Sequence, residues 1–378
     1  MPDLAVAGAG MAGLAAAAEA RRLGADPLVL EKLPYAGGSM RLSSGVVWRH
    51  REFETFRAEC PDGDERLQRL VFERLDEDLH WLESLGAPVV ERDTGNPLTT
   101  GFRFDPAGLT SALVAAVRGR LRLGEPLREP PEGAPLILAT GGFAASRELL
   151  AEHVTPEAEH VFLRTSPGST GDGLRIGLEA GAATSAGLDQ VYARAMPAPP
   201  AQIGQHDLVR LSQLYAQYAI VTNEHGDRYE TRTWSENDVA GWQLRQPRGR
   251  AWFTVPADRL HERVRERTVA EMIEAAEEAG APVARGAEGA AGERGRGGGG
   301  RFARPVRRGA DDVTVETVAG VTTTLGGLAV DETARVADGV FACGADVGGI
   351  ATGGYSSGLA AALVLGRIAA RAALGGTP

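Results

Sequence analysis

The sequence predicts an α/β fold: a Rossmann-like dinucleotide-binding domain, split in sequence, with an inserted α+β unit. Three observations predict it. An apolar strand runs directly into a glycine turn and then a helix within the first 23 residues. Two further apolar strands, one ending near residue 139 and one near 343, also run into glycine pairs. Between them, from about Ala182 to Arg308, small tight sequence gives way to aromatics, prolines and irregular alternation.

The N-terminal unit carries the most information. Leu4-Ala5-Val6-Ala7 reads as a strand, Gly8-Ala9-Gly10-Met11-Ala12-Gly13 as the turn, and the Ala-rich stretch from Leu14 to Leu23 as the helix. Gly8 permits the tight turn, Gly10 lets backbone N–H groups approach a pyrophosphate, and Gly13 lets helix and strand pack closely. The helix start supplies the positive end of a dipole. After Gly24, Leu28-Val29-Leu30 forms a second strand ending in Glu31, about 18 residues past Gly13, where a carboxylate accepts from ribose hydroxyls. An adenine dinucleotide is the expected ligand, against the alternative of a helix start with none.

Downstream, Lys32 leads into Gly37-Gly38-Ser39 and then Ser43-Ser44-Gly45, small-residue clusters that suit backbone lying against a ligand or a plain loop. Residues 64–85 have helical periodicity with charges on the outer face, and Gly86 as the stop. A helix is expected over 109–117, a strand over 121–123, and a buried strand over 136–139 that ends in Thr140-Gly141-Gly142. A parallel sheet brings ligands to the carboxyl ends of its strands, so this glycine pair and the first turn would share one ligand. Thr170-Gly171-Asp172-Gly173 precedes an amphipathic helix over 174–180, and Asp172 either caps it or accepts from a sugar. The Gly/Arg-rich tract from Arg285 to Arg308 reads as a solvated loop, since it lacks interleaved aromatics apart from Phe302. Val340 to Cys343 is a buried strand, Gly344-Ala345-Asp346 begins its loop, and Ser356-Ser357-Gly358-Leu359 opens an Ala-rich C-terminal helix. That helix either packs on the sheet or also aims its first N–H groups at a ligand that becomes anionic.

Composition narrows the function class. A net charge of −10 over 378 residues argues against a nucleic-acid or membrane-surface partner, which would need a basic balance. Two distant cysteines, Cys60 and Cys343, make neither a disulfide framework nor a metal cluster, and Cys343 is expected to be a buried thiol. The first strand begins almost at Met1 with no basic n-region and apolar h-region, so export is not expected. The longest apolar run, 358–365, is too short for membrane insertion. The expected location is cytoplasmic.

Taken in order, VAGAGMAGLAAAAEARRLGADPLVLEK, AGGSMRLSSG, LILATGGF, STGDGLRIGLEAGA, VTNEHGDRY, TTTLGGLAVD and FACGADVGG followed by GLAAALVLGRIAA resemble the fumarate reductase and succinate dehydrogenase flavoprotein family, which includes the 3-ketosteroid dehydrogenases. The resemblance spans the chain and implies FAD rather than NAD. It also implies a nucleotide domain in two parts, 1–181 and 309–378, around a capping substrate domain at 182–308. By resemblance, Ala12, Glu31, Gly38, Ser39, Ser44, Gly45, Asp172, Thr323, Ser357, Gly358 and Leu359 fall where the family holds FAD, and Gly8, Gly10, Met11, Gly13, Lys32, Thr140, Gly141 and Gly344 belong to the same loops. Asp346 stands one residue beyond the acid that the family places after the glycine equivalent to Gly344, and is the candidate for its ribityl contact. Met40 to Gly45 contains no histidine, which implies non-covalent FAD.

The substrate positions depart from the family. Asp189 to Tyr192 and Thr322 stand where dicarboxylate reductases have histidines, and Gly353 replaces a carboxylate-binding arginine. Glu236 occupies the place expected of a catalytic arginine, with Arg232 one helical turn earlier. These changes argue against a C4 dicarboxylate, although Arg194, Arg210, Arg228 and Arg232 keep positive charge in the cap. Tyr355 follows Gly344 at the spacing at which ketosteroid dehydrogenases carry a carbonyl-polarising tyrosine. The resemblance therefore implies hydride transfer between flavin N5 and a carbon next to an activating carbonyl of a small-molecule substrate, together with a separate electron donor or acceptor. Tyr355, Tyr192 and Arg232 are the candidate catalytic groups, set against the alternative that each tyrosine is a packed aromatic. An oxidase passing electrons to O₂, and a flavin-binding protein with a decayed substrate site, are the competing functions.

Overall fold

The computed structural model describes residues 2–128, 130, 133–230, 236–286 and 311–376. In chain order the elements are β1 (Leu4–Ala7), α1 (Met11–Arg22), β2 (Pro27–Glu31), β3 (Val46–His50), α2 (Phe53–Glu59), α3 (Glu65–Ser84), β4 (Val89–Glu91), β5 (Thr99–Phe104), α4 (Pro106–Ala116), β6 (Leu121–Leu123), β7 (Leu136–Leu138), α5 (Arg147–His153), β8 (Phe162–Leu163) and α6 (Asp172–Glu179). There follow β9 (Val191–Pro197), β10 (Ile220–Thr222), α7 (Glu236–Gln243), β11 (Arg250–Val255), β12 (Arg263–Val264), β13 (Arg267–Thr268), α8 (Val269–Glu278), β14 (Val283–Arg285), β15 (Val313–Thr324), β16 (Arg335–Ala337), β17 (Val340–Ala342) and α9 (Gly358–Ala373). They form two compact units: Met1–Val154, Thr165–Val191 and Thr323–Pro378 make the first, and Thr155–Arg164 with Tyr192–Thr322 the second.

The first unit is built on a six-stranded sheet in the order β16-β17-β7-β1-β2-β6. All neighbours from β17 to β6 run parallel, and β16 is antiparallel. Strand β1 is apolar at every position because both its neighbours and both its faces are covered, and none of its residues is more than 2% exposed. Small residues let α1 and α9 approach closely: a Cβ on Gly366 would lie 2.5 Å from the Ala12 carbonyl oxygen. A buried ionic cluster joins these helices to α3. Arg367 bonds Glu19 through Nε and Nη2, both at 3.2 Å, also pairs with Asp78, and lies 4.4 Å from the Trp81 ring centre.

Helix α1 starts at Met11 rather than Leu14, because Gly10 serves as its N-cap and the last glycine of the turn already lies in the first helical turn. Helix α6 likewise starts earlier, at Asp172. Its N-cap is Gly171 at φ 88°, a left-handed conformation suited to glycine, so Asp172 does not cap the helix. A three-stranded antiparallel sheet, β3-β5-β4, completes the unit and was not legible in the sequence pattern. Cys60 and Cys343 are both buried free thiols.

The second unit is a mainly antiparallel sheet, β10-β11-β15-β14, with β8 and β9 also pairing to β15. Tyr215, Phe253, Met272 and Val315 form its core. Its limits differ from the insertion expected at 182–308. Residues 182–191 stay with the first unit, where Ser185 N donates to Gly327 O and Ala329 N to Ala183 O. Thr155–Arg164 joins the second unit because β8 pairs with β15, and the unit runs on to Thr322 because β15 completes its sheet. No described helix is long and apolar enough to cross a membrane.

Candidate active site

The carboxyl ends of β1, β2, β7 and β17 carry the candidate residues. Gly8, at φ 107°, sits so close to the end of β7 that a Cβ there would lie 2.2 Å from the Ala139 carbonyl oxygen. This contact brings the first glycine turn beside Thr140-Gly141-Gly142. A Cβ on Gly13 would lie 2.0 Å from the Gly8 carbonyl oxygen, so close helix–strand packing requires glycine there. Gly10 differs: a Cβ there would meet nothing within 4 Å. Helix α1 has no side-chain cap and no acid in its first turn, so no capping side chain among the described residues takes up the N–H groups of Met11, Ala12 and Gly13 at the positive dipole end.

Glu31 is buried and braces this turn. Its Oε2 accepts from Ala9 N at 2.8 Å and its Oε1 from Leu33 N at 2.9 Å, leaving each oxygen a second lone pair for a hydroxyl donor. Gly37 N donates to Ala9 O at 2.8 Å, and a Cβ on Gly38, at φ 48°, would lie 3.4 Å from Gly10 Cα. Ser39 Oγ accepts from Ser166 N at 3.2 Å and lies 3.4 Å from Thr165 Oγ1. Thr165 and Ser166 had no distinguishing sequence signal. Ser44 is half-buried beside Ser43, whose hydroxyl accepts from Gly45 N.

Lys32 Nζ donates to Asp172 Oδ2 at 2.7 Å and to Thr170 Oγ1 at 2.5 Å, so the Asp172 carboxylate is already ion-paired. Asp346 is 1% exposed and acts as an internal brace. Its Oδ1 accepts from Thr140 Oγ1 and from Gly142 N, each at 2.9 Å, and its Oδ2 accepts from Thr140 N. Thr140 Oγ1 in turn accepts from Gly173 N at 2.9 Å, which ties the β7 and β17 loops to the start of α6. Burial pushes the Asp346 carboxyl up, the bonds from Gly142 and Thr140 oppose this, and Asp172 adds to it. Both Asp346 carboxylate oxygens thus take part in a loop-to-loop brace between the ends of β7 and β17.

Gly344, at φ 67°, packs against Ala12, where a Cβ would lie 2.9 Å from the Ala12 Cβ. Ser357 is the N-cap of α9: its Oγ accepts from Ala360 N at 3.3 Å and from Trp48 N at 3.4 Å. Gly358 is exposed, Leu359 is half-buried, and α9 has no acid in its first turn. Thr323 is half-buried, with its Oγ1 3.4 Å from Thr324 O.

Tyr355 belongs to the first unit. It is half-buried and packs on Trp48, ring centres 5.5 Å apart. Tyr192 belongs to the second unit and is also half-buried, with the Arg194 guanidinium 4.6 Å from its ring centre. Arg194 is 4% exposed and its Nη1 lies 3.5 Å from Glu236 Oε2. Arg210 makes exposed ion pairs with Asp207 and Glu278, and Arg228 is exposed. Arg232 lies outside the described residues.

These features fit a dinucleotide. An uncapped helix start faces open space at Gly10, a second glycine backbone closes on that space from Gly38, and a buried carboxylate with spare lone pairs stands at the end of β2. The sequence matches the model of a family described as FAD binding domain over residues 3–125 and 132–359. It is 24% identical over 440 residues to the probable fumarate reductase Ifc3 of Shewanella frigidimarina, a match covering 96% of this chain and 73% of that protein. Its fold is similar to the open conformation of a flavocytochrome c3 fumarate reductase, with a TM-score of 0.72 at 21% identity over 99% of this chain and 78% of that one. It is also similar to 3-ketosteroid-Δ4-(5α)-dehydrogenase from Rhodococcus jostii RHA1 in complex with 4-androstene-3,17-dione, with a TM-score of 0.69 at 19% identity over 99% and 96% of the two chains. The dinucleotide is FAD, and the chain belongs to the FAD binding domain family as a flavoprotein oxidoreductase.

Proposed function

We propose that the protein transfers hydride between FAD and a carbon next to an activating carbonyl, forming or reducing a C–C double bond of a substrate that is not a C4 dicarboxylate. The observation that carries this reading is the placing of Tyr355, a half-buried phenol two residues before the N-cap of α9, against Trp48. Bound FAD supplies hydride exchange at N5. The α1 start, Gly38 and Glu31 hold the dinucleotide without a covalent tether, since the Met40–Gly45 loop offers no histidine. The start of α9 favours negative charge on the reduced ring system. Tyr355 donates a hydrogen bond to the carbonyl oxygen as it gains charge, and Tyr192 and Arg232 are the candidates for moving the substrate proton.

The charge pattern of the second unit supports an uncharged substrate group. The buried arginine beside Tyr192 is matched by Glu236, so this pair adds no net positive charge for a carboxylate. The relatives named fumarate reductase, and the dehydrogenase solved with a steroid dione, support the C–C chemistry. Electrons enter or leave through a separate donor or acceptor.

The test is anaerobic photoreduction of the holoprotein, followed by mixing with 2-cyclohexen-1-one, 4-androstene-3,17-dione, crotonate or fumarate while flavin reoxidation is recorded. At least one neutral enone reoxidises the flavin and fumarate does not. Tyr355→Phe keeps FAD and slows the enone reaction by about 10² to 10⁴, the usual worth of general acid–base help. Faster reoxidation by fumarate, or by O₂ alone with peroxide release, would refute the reading.

A further inference from the structure

We propose that Gln68 is a positioning residue for Tyr355. The inference rests on the reading of Tyr355 as the group that polarises the substrate carbonyl. Gln68 lies in the first turns of α3, far from Tyr355 in sequence, and is 0% exposed. All its polar capacity is directed at one corner of the first unit. Its Nε2 donates to Cys60 O at 2.9 Å, at the end of α2, and to Ile350 O at 2.8 Å, in the loop that leads to Tyr355. Its Oε1 accepts from Arg57 Nη1 at 2.6 Å, so the amide cannot turn over without facing N–H groups to a guanidinium.

The loop from Gly349 to Tyr355 has little other regular structure to hold it. Asp64 N donates to Gly349 O at 2.6 Å, and Gly353 N donates to Gln190 Oε1 at 2.8 Å. Between these anchors the loop lies directly on the end of α2: a Cβ on Gly354 would stand 1.5 Å from the Glu59 carbonyl oxygen. Such an approach persists only while the two segments are held in register; Gln68 bonds both, and the Cys60 thiol at the end of α2 also bonds the Tyr355 backbone. Trp48 then receives the Tyr355 ring, while its own N–H reaches Ser357 Oγ at the start of α9. Gln68 thereby sets where the Tyr355 phenol stands relative to the α9 N-terminus.

The experiment uses holoprotein labelled with 3-fluorotyrosine, in which the Tyr355 signal among the six tyrosines is the one lost in Tyr355→Phe. Gln68→Met keeps the volume and removes both donors. Its Tyr355 signal moves toward that of free 3-fluorotyrosine while the other five stay, and amides 349–357 exchange about tenfold faster, as the loss of one buried bond implies. In the enone assay Gln68→Met slows reoxidation in the wild-type background and adds nothing in Tyr355→Phe. An unmoved Tyr355 signal, or an equal slowing in both backgrounds, overturns the proposal. If Gln68→Met does not fold, Arg57→Met, which frees the amide to rotate and also gives up the Arg57 bonds to Gly63 O and Pro61 O, must move the same signal, and its failure to do so overturns the proposal. Wild-type kinetics in Tyr355→Phe alone would sink the catalytic reading of Tyr355, which the fluorine signal does not depend on.

Discussion

Glu19→Gln tests how the flavin-binding helix is held. Glu19 is 0% exposed on α1, where Arg22 reaches it at 2.8 and 2.9 Å, Arg371 at 2.7 Å and Arg367 at 3.2 Å. Burial pushes its carboxyl up, but the bonds from Arg22 and Arg371 and the charges of Arg367 and Arg371 outweigh this, lowering it from 4.5 to about 2. That difference corresponds to about 3 kcal/mol in favour of the folded, charged form at neutral pH. The folded value lies below the unfolded one, so the stabilisation is present above pH 4.5 and is lost as pH falls toward 2. Gln keeps the shape and removes the charge, leaving Arg367 with Asp78 as its buried acid. The expected loss is about 3 kcal/mol at pH 7 in urea unfolding of the holoprotein, read by circular dichroism, and the gap to wild type narrows below pH 4.5. A loss under about 1 kcal/mol at pH 7, or a gap that does not change with pH, would refute the reasoning.

Two further predictions bear on the site and its support. In Gly10→Ala the new methyl meets nothing in the protein within 4 Å, so thermal stability of the apoprotein stays within about 1 kcal/mol of wild type after allowing for the glycine's backbone freedom. FAD affinity, titrated by quenching of flavin fluorescence, is nevertheless expected to fall by tenfold or more if, as proposed, that space takes the pyrophosphate; unchanged affinity would place the dinucleotide elsewhere. His50 is 1% exposed, its ring packs on Trp48 and Phe56, and neither ring nitrogen reaches full hydrogen-bond geometry among the described residues, the nearest polar group being the Tyr355 backbone. His50→Phe should therefore stabilise the protein by about 1 kcal/mol, since no well-formed bond is lost and a buried polar group is removed. Burial holds the His50 imidazole below its usual value, so wild type loses stability as pH falls below 6.5 and the advantage of Phe grows there. Melting curves at pH 7 and pH 5.5 check both points, and a less stable His50→Phe would mean that the imidazole has a buried partner.

Much of the first unit was legible without coordinates because its chemistry is local. A glycine turn between a strand and a helix, an acid at the end of the next strand, and apolar runs ending in glycine pairs are consequences of backbone sterics over a few residues, and Gly8, Gly13 and Glu31 stand where that logic places them. The FAD family followed from the order of such stretches. Three things depended on tertiary structure. The acids could not be assigned by motif: Asp346 turned inward to Thr140 and Gly142, and Asp172 paired with Lys32, because a carboxylate's partner is whichever donor the fold brings near it. The limits of the second unit were set by strand pairing, which brought Phe162–Leu163 to β15 across a long sequence separation that no local period records. The support of Tyr355 was hidden for the same reason. Gln68 reads as one polar position on an amphipathic helix, and only the folded chain brings the Ile350 carbonyl, 282 residues away, to its amide.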